Sequence, residues 1–117
     1  MNQSVYLSRP ALSSALGDGL SAHVEALLHA TADSPLQQSA EWVQGKTLAF
    51  GVVPSTLRAF PTDLPSAFQS RNNQLLWHTL AQIEPQIEAA KQRFGAERIA
   101  VVLGTSTSGV DENIGMF

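Results

Sequence analysis

Cysteine is absent from all 117 residues. That absence removes disulfides, thiolate metal sites and thiol nucleophiles from this chain at once. It fits a reducing compartment, and a cytoplasmic location is the expectation. Long apolar runs are missing too, none approaching the ~20 residues that span a bilayer. The opening MNQSVYLSRP has neither the charged lead nor the long apolar centre of a secretory signal peptide. Basic residues are few and scattered singly, at Arg9, Lys46, Arg58, Arg71, Lys91, Arg93 and Arg98, against a net charge of −3. Neither a stripe for nucleic acid nor a polybasic segment for anionic lipid can be assembled from them. What the chain does have is apolar content: 44% hydrophobic and only 15% charged residues, a balance that argues against disorder. Its length suits one ordinary domain, which would bury roughly two-thirds of its unfolded surface.

The order of patterns predicts an α/β fold. Val5, Tyr6 and Leu7 form a short strand stopped by Pro10, and Gly17-Asp18-Gly19 reads as a tight turn. From Leu20 to Thr31 the spacing becomes helical, with Leu20, Val24, Leu27 and Leu28 on one stripe and Asp18 or Ser21 as the cap. Asp33 to Lys46 reads as a surface loop around a partly buried Trp42, and Thr47 to Val53 as a strand in which Gly51 permits a bulge or a close backbone approach. Pro54, Pro61 and Pro65 exclude a long helix between residues 54 and 70, while Leu57, Phe60, Leu64 and Phe68 make that stretch a packed loop. A long helix follows from about Asn72 to Phe94. Its stripe runs Leu76, Leu80, Ile83, Ile87, Ala90, Phe94, with a kink or break expected at Pro85 and a left-handed end at Gly95. Arg98 to Leu103 does not alternate and reads as a strand buried on both faces. So few strands, with an apolar end at Asn113 to Phe117, make the sheet incomplete, as in a portion of something larger.

The chemistry that matters is tested at GTSTSG, Gly104 to Gly109. Two glycines stand at the spacing of a phosphate loop, but Val110 and Asp111 occupy the places of its lysine and hydroxyl. Ser106 follows a glycine as in a nucleophile elbow, yet Ser108 stands where that turn needs glycine, and none of His23, His29 and His78 follows the serine. His23 and His29 are six apart and fall on different helix faces, whereas Glu25 and His29 are four apart and read as an exposed helix pair. Asp111-Glu112 suits the start of a helix better than a catalytic carboxylate pair. Two readings of the loop stay open. Small hydroxyl residues let a chain turn sharply off a strand and satisfy the freed backbone donors. Alternatively, they line a ligand site at the carboxyl end of a strand, where open α/β sheets bind ligands.

VYLSRPALSSALGDGLSAHVEALLHA, followed by RNNQLLWHTLAQIEPQIEAAKQRFGAERIAVVLGTSTSGVDEN, resembles the N-terminal part of the β-ketoacyl-acyl-carrier-protein synthases of the thiolase-like superfamily. RNNQLL together with VVLGTSTSG is particularly similar to the ketosynthases of aryl polyene pathways. The resemblance covers nearly the whole chain, but only about the first third of a typical member by the family's general architecture. It implies a layered αβαβα fold, incomplete in this chain, and decarboxylative condensation of acyl and malonyl groups on a carrier protein in fatty acid or aryl polyene synthesis. The family's cysteine and histidines lie beyond the matching segment, so no catalytic residue is expected here. No metal and no organic cofactor is implied. The implied partners are an acyl carrier protein and a second ketosynthase-like subunit, in a homodimer or a heterodimer.

By the same match Ser106, Thr107 and Ser108 border the acyl tunnel. Many members carry a more glycine-rich loop, a departure that bears on any gating role. Two alternatives stand beside this reading: a non-catalytic chain-length-factor partner on the same fold, and a stand-alone small α/β binding domain. Replacing Thr107→Phe in the complete enzyme is expected to shorten the products, measured by their chain-length distribution; an unchanged distribution counts against a tunnel-lining role.

Overall fold

A computed structural model of the chain describes residues 9–29 and 34–100. The chain divides into two compact units, Met1–Ser55 and Thr56–Phe117. Together the described residues form helices and two small antiparallel sheets, a mixed α/β content.

In the first unit, β1 (Ser13–Ser14) pairs antiparallel with β2 (Gly17–Asp18), and α1 (Gly19–Leu28) follows directly. The reversal lies at Ala15-Leu16, two residues before the Gly17-Asp18-Gly19 turn that the sequence predicts. Glycine does not make the corner here; it leaves it. Gly17 takes φ 113° and Gly19 φ 82°, conformations that a Cβ disfavours. The Ser14 hydroxyl accepts the Leu16 N–H at 3.1 Å and so satisfies a donor that the tight turn leaves over. Gly19 N–H donates to the Leu12 carbonyl at 2.8 Å, carrying the pairing up to the helix. Asp18 occupies the N-cap position, but its side chain makes no capping hydrogen bond. α1 ends at Leu28, and of its stripe Leu20 is half-buried while Val24, Leu27 and Leu28 are exposed, the last two at 70% and 73%.

Of the loop expected from Asp33 to Lys46, the described residues 34–46 are not simply a loop. β3 (Leu36–Ser39) pairs antiparallel with β4 (Leu48–Gly51), in the register Leu36↔Gly51 to Ser39↔Leu48. Leu36-Gln37-Gln38-Ser39 carries little β-propensity of its own, so the ladder to the strand expected at residues 47–53 decides its conformation. Trp42 is 70% exposed rather than partly buried, with its ring 6.5 Å from that of Phe50. The close approach expected at Gly51 is real: a Cβ there would stand 3.3 Å from that of Ala15.

The second unit is built on the long helical pattern, which breaks where Pro85 requires it. α2 runs Arg71–Leu80, a single 3₁₀ turn covers Ala81–Ile83, and α3 runs Glu84–Phe94 with Pro85 in its first turn. Proline lacks the N–H that would continue α2 and is tolerated at a helix start, so the break precedes it. Leu80, Ile83, Ile87 and Ala90 are half-buried, so the middle of the stripe survives the break, while its ends Leu76 and Phe94 are 39% and 47% exposed. Ser70 caps α2 by accepting the Asn73 N–H at 3.1 Å. Gly95 ends α3 at φ 83° and ψ 142°: positive φ as expected, but extended rather than left-handed helical. Arg98 closes a 3₁₀ turn, Ala96–Arg98, instead of opening a strand, and Ile99 is the first residue with extended backbone. The strand expected at residues 5–7, and residues 101–103 of the strand expected from Arg98 to Leu103, lie outside the described residues.

No described residue is fully buried. Stability of each unit therefore leans on local backbone geometry. Gly17→Ala is expected to destabilise the first unit by more than about 1 kcal/mol, because φ 113° is strained for alanine and the new Cβ would sit 3.3 Å from that of Ala22. Urea unfolding measures it; an unchanged midpoint contradicts this conformation.

Candidate functional site

The second unit contains an open groove of about 220 Å³. Phe60, Pro61, Leu64 and Phe68 from the proline-rich stretch form one wall. Leu76, Trp77 and Leu80 from α2 form the other, with Asn73 at one end. The packing expected of the apolar residues in that loop is thus onto the helix that follows it.

Hydrogen bonds from helix side chains to loop backbone hold the two walls together. Trp77 Nε1 donates to the Ala59 carbonyl at 3.1 Å, and the Arg58 N–H donates to His78 Nδ1 at 3.0 Å. Gln74 Nε2 reaches the Arg58 carbonyl at 3.4 Å, and Asn73 Nδ2 the Phe68 carbonyl at 2.9 Å. Inside the loop, Gln69 Nε2 donates to the Leu64 carbonyl at 2.7 Å. A loop with three prolines cannot pair its backbone in a ladder, so α2 supplies the partners from its own polar positions. Arg58 is fixed further: its guanidinium lies 4.5 Å from the Trp77 ring centroid and pairs with Glu84 at 3.0 Å. Both charged side chains are substantially exposed, at 39% and 50%, so the ion pair contributes at most about 1 kcal/mol.

The groove lining is apolar apart from the Asn73 amide and the Trp77 indole N–H. The indole N–H and the Asn73 amide are already donated to loop carbonyls. His78 Nδ1 accepts a backbone N–H, which places the ring proton on Nε2 in the neutral form. Ser106, Thr107 and Ser108, the residues expected to border an acyl tunnel, lie outside the described residues.

The remaining histidines separate clearly. His29 stands 3.8 Å from Glu25 with both side chains exposed, as expected of an i,i+4 helix pair. His23 makes two hydrogen bonds that sequence spacing did not single out, to Ser14 Oγ and to the Gly19 carbonyl, each 2.8 Å. Their nine-residue separation carries no signal of contact in the sequence; the hairpin between them brings Ser14 back over α1. Among the described residues, no three histidine, aspartate or glutamate side chains gather to hold a metal ion. No described helix is long and apolar enough to cross a membrane.

Compared with models of protein families, with curated proteins and with solved structures, the chain matches none.

Removing only the indole donor tests how the groove is held. Trp77→Phe keeps a ring beneath Arg58 but leaves the Ala59 carbonyl without its partner, at an expected cost of about 1 kcal/mol. Urea unfolding of the wild type and the variant measures the difference; equal stability contradicts the clamp.

Proposed function

We propose that this chain is the N-terminal portion of a β-ketoacyl-acyl-carrier-protein synthase, of the kind that serves fatty acid or aryl polyene synthesis. One observation carries the reading: the succession from RNNQLL to VVLGTSTSG, a helix leading through glycine into an apolar run and a hydroxyl loop. The structure supports its first half. α2 opens on RNN, α3 stops at Gly95, and the backbone turns extended at Ile99, where the apolar run begins. The half-buried stripe along Leu80, Ile83, Ile87 and Ala90 is what a helix flanking a sheet presents to that sheet. On this reading the chain contributes outer elements to a layered αβαβα fold, and Ser106, Thr107 and Ser108 line the acyl tunnel.

The reaction is decarboxylative condensation. An acyl group moves from its carrier to a cysteine, malonyl-carrier protein loses carbon dioxide, and the resulting carbanion attacks the acyl carbonyl to give a 3-oxoacyl-carrier product. The cysteine and its two assisting histidines belong to the family beyond the matching segment. None of the 117 residues is a cysteine. The partners of this reading are an acyl carrier protein and a second ketosynthase-like subunit in the cytoplasm, with no cofactor.

The test incubates the whole protein with acyl- and malonyl-carrier proteins and follows carbon dioxide release and the 3-oxoacyl product. Turnover by the protein alone is the expected result. Turnover only after adding a catalytic ketosynthase subunit assigns it the chain-length-factor role instead. No turnover in either arm overturns the ketosynthase reading.

A further inference from the structure

The first unit contains a hydroxyl group held as a nucleophile is held before attack. Ser14 Oγ lies 2.8 Å from His23 Nε2, and His23 Nδ1 lies 2.8 Å from the Gly19 carbonyl oxygen. A carbonyl oxygen can only accept, so in the neutral ring the proton sits on Nδ1 and Nε2 presents a lone pair. The Ser14 hydroxyl must then donate to Nε2. Its oxygen meanwhile accepts the Leu16 N–H at 3.1 Å, which helps to fix the position of the oxygen. Nucleophile, base and the group that orients the base thus stand in sequence, with a backbone carbonyl as the third member. Both side chains are half-buried rather than enclosed, so a small reagent can reach them.

The fold explains why such different positions meet. Ser14 ends β1, and the two-residue reversal with Gly17 at φ 113° lays the hairpin against α1. Gly17 permits that approach, since a Cβ there would already press on Ala22 at 3.3 Å. His23 is one turn into α1, where its ring returns to the carbonyl of Gly19, the first residue of the helix.

We infer that Ser14 is an acyl-accepting nucleophile with His23 as its general base, taking acyl groups from activated esters or thioesters. In the forward step the Ser14 oxygen bonds to the acyl carbonyl carbon while its proton passes to His23 Nε2. The tetrahedral adduct then collapses, the bond to the leaving alcohol or thiol breaks, and that group departs with the proton or as its anion. No oxidant, reductant or metal is needed. The inference is independent of the ketosynthase reading, which places its acyl acceptor on a cysteine outside this chain.

The probe is p-nitrophenyl acetate, with released nitrophenolate followed by absorbance and the acetylated residue located by peptide mass spectrometry. The expected result is one acetyl group per chain, on Ser14, and none at that position in Ser14→Ala. His23→Asn is the informative variant. Asparagine still donates to the Gly19 carbonyl and so preserves the helix contact, but it has no base at the Nε2 position. Acetylation should then slow by about 10²-fold or more, the usual contribution of a positioned base. Circular dichroism checks that α1 is retained, and if it is lost, His23→Gln serves as the second variant with the same expectation. Acetylation elsewhere, no acetylation at all, or an undiminished rate in a folded His23 variant would each overturn the assignment. A failed condensation assay leaves this result untouched, and the reverse also holds.

Discussion

Backbone polar groups that no ladder can satisfy are the constraint on which both units depend. The described strands are two or four residues long, and the longest loop carries three prolines. Many N–H and C=O groups are therefore left without a regular partner, at a cost comparable to a lost hydrogen bond wherever water is excluded. The chain answers with side chains from neighbouring helices. In the second unit Asn73, Gln74, Trp77 and His78 of α2 all reach the backbone of residues 58–68. In the first, the Ser14 hydroxyl does the same for the hairpin by accepting the Leu16 N–H.

The consequence for function is that shape comes before burial. Phe60, Leu64, Phe68, Leu76 and Trp77 define a groove although none of them is fully buried. Hydrogen bonds place the apolar walls, and the walls remain open. In the first unit the Ser14 hydroxyl satisfies one turn N–H and the Gly19 carbonyl orients the His23 ring, which leaves a serine and a histidine aligned on each other. Polar groups recruited for structure are thereby fixed in geometry, which is the first requirement of a reactive pair.

Periodicity made the helices legible in the sequence. The stripe from Leu76 to Phe94 located α2 and α3, and the chemistry of proline and glycine placed the break at Pro85 and the stop at Gly95. Pairing was much less visible. β3 is a polar Leu-Gln-Gln-Ser segment whose conformation comes from β4 across the ladder, a partner nine residues on that no local pattern names. Trp42 looked like an anchor by its residue type, but its environment leaves it 70% exposed. The corner at Ala15-Leu16 was hidden because the glycines beside it were the stronger local signal, although they relieve strain after the turn rather than forming it. Of the site, the apolar loop residues were legible as a packing surface. The Ser14–His23 contact was not, because it depends on where a two-residue reversal sends the chain.

The decisive measurement is amide hydrogen exchange at Arg58. Its N–H donates to a side-chain nitrogen, His78 Nδ1, and belongs to no helix or sheet ladder. If helix side chains hold the loop, this amide is protected in the wild type and loses that protection in His78→Ala, while the amides within α3 keep theirs. Exchange of Arg58 in the wild type at the rate of an unstructured peptide would contradict the account.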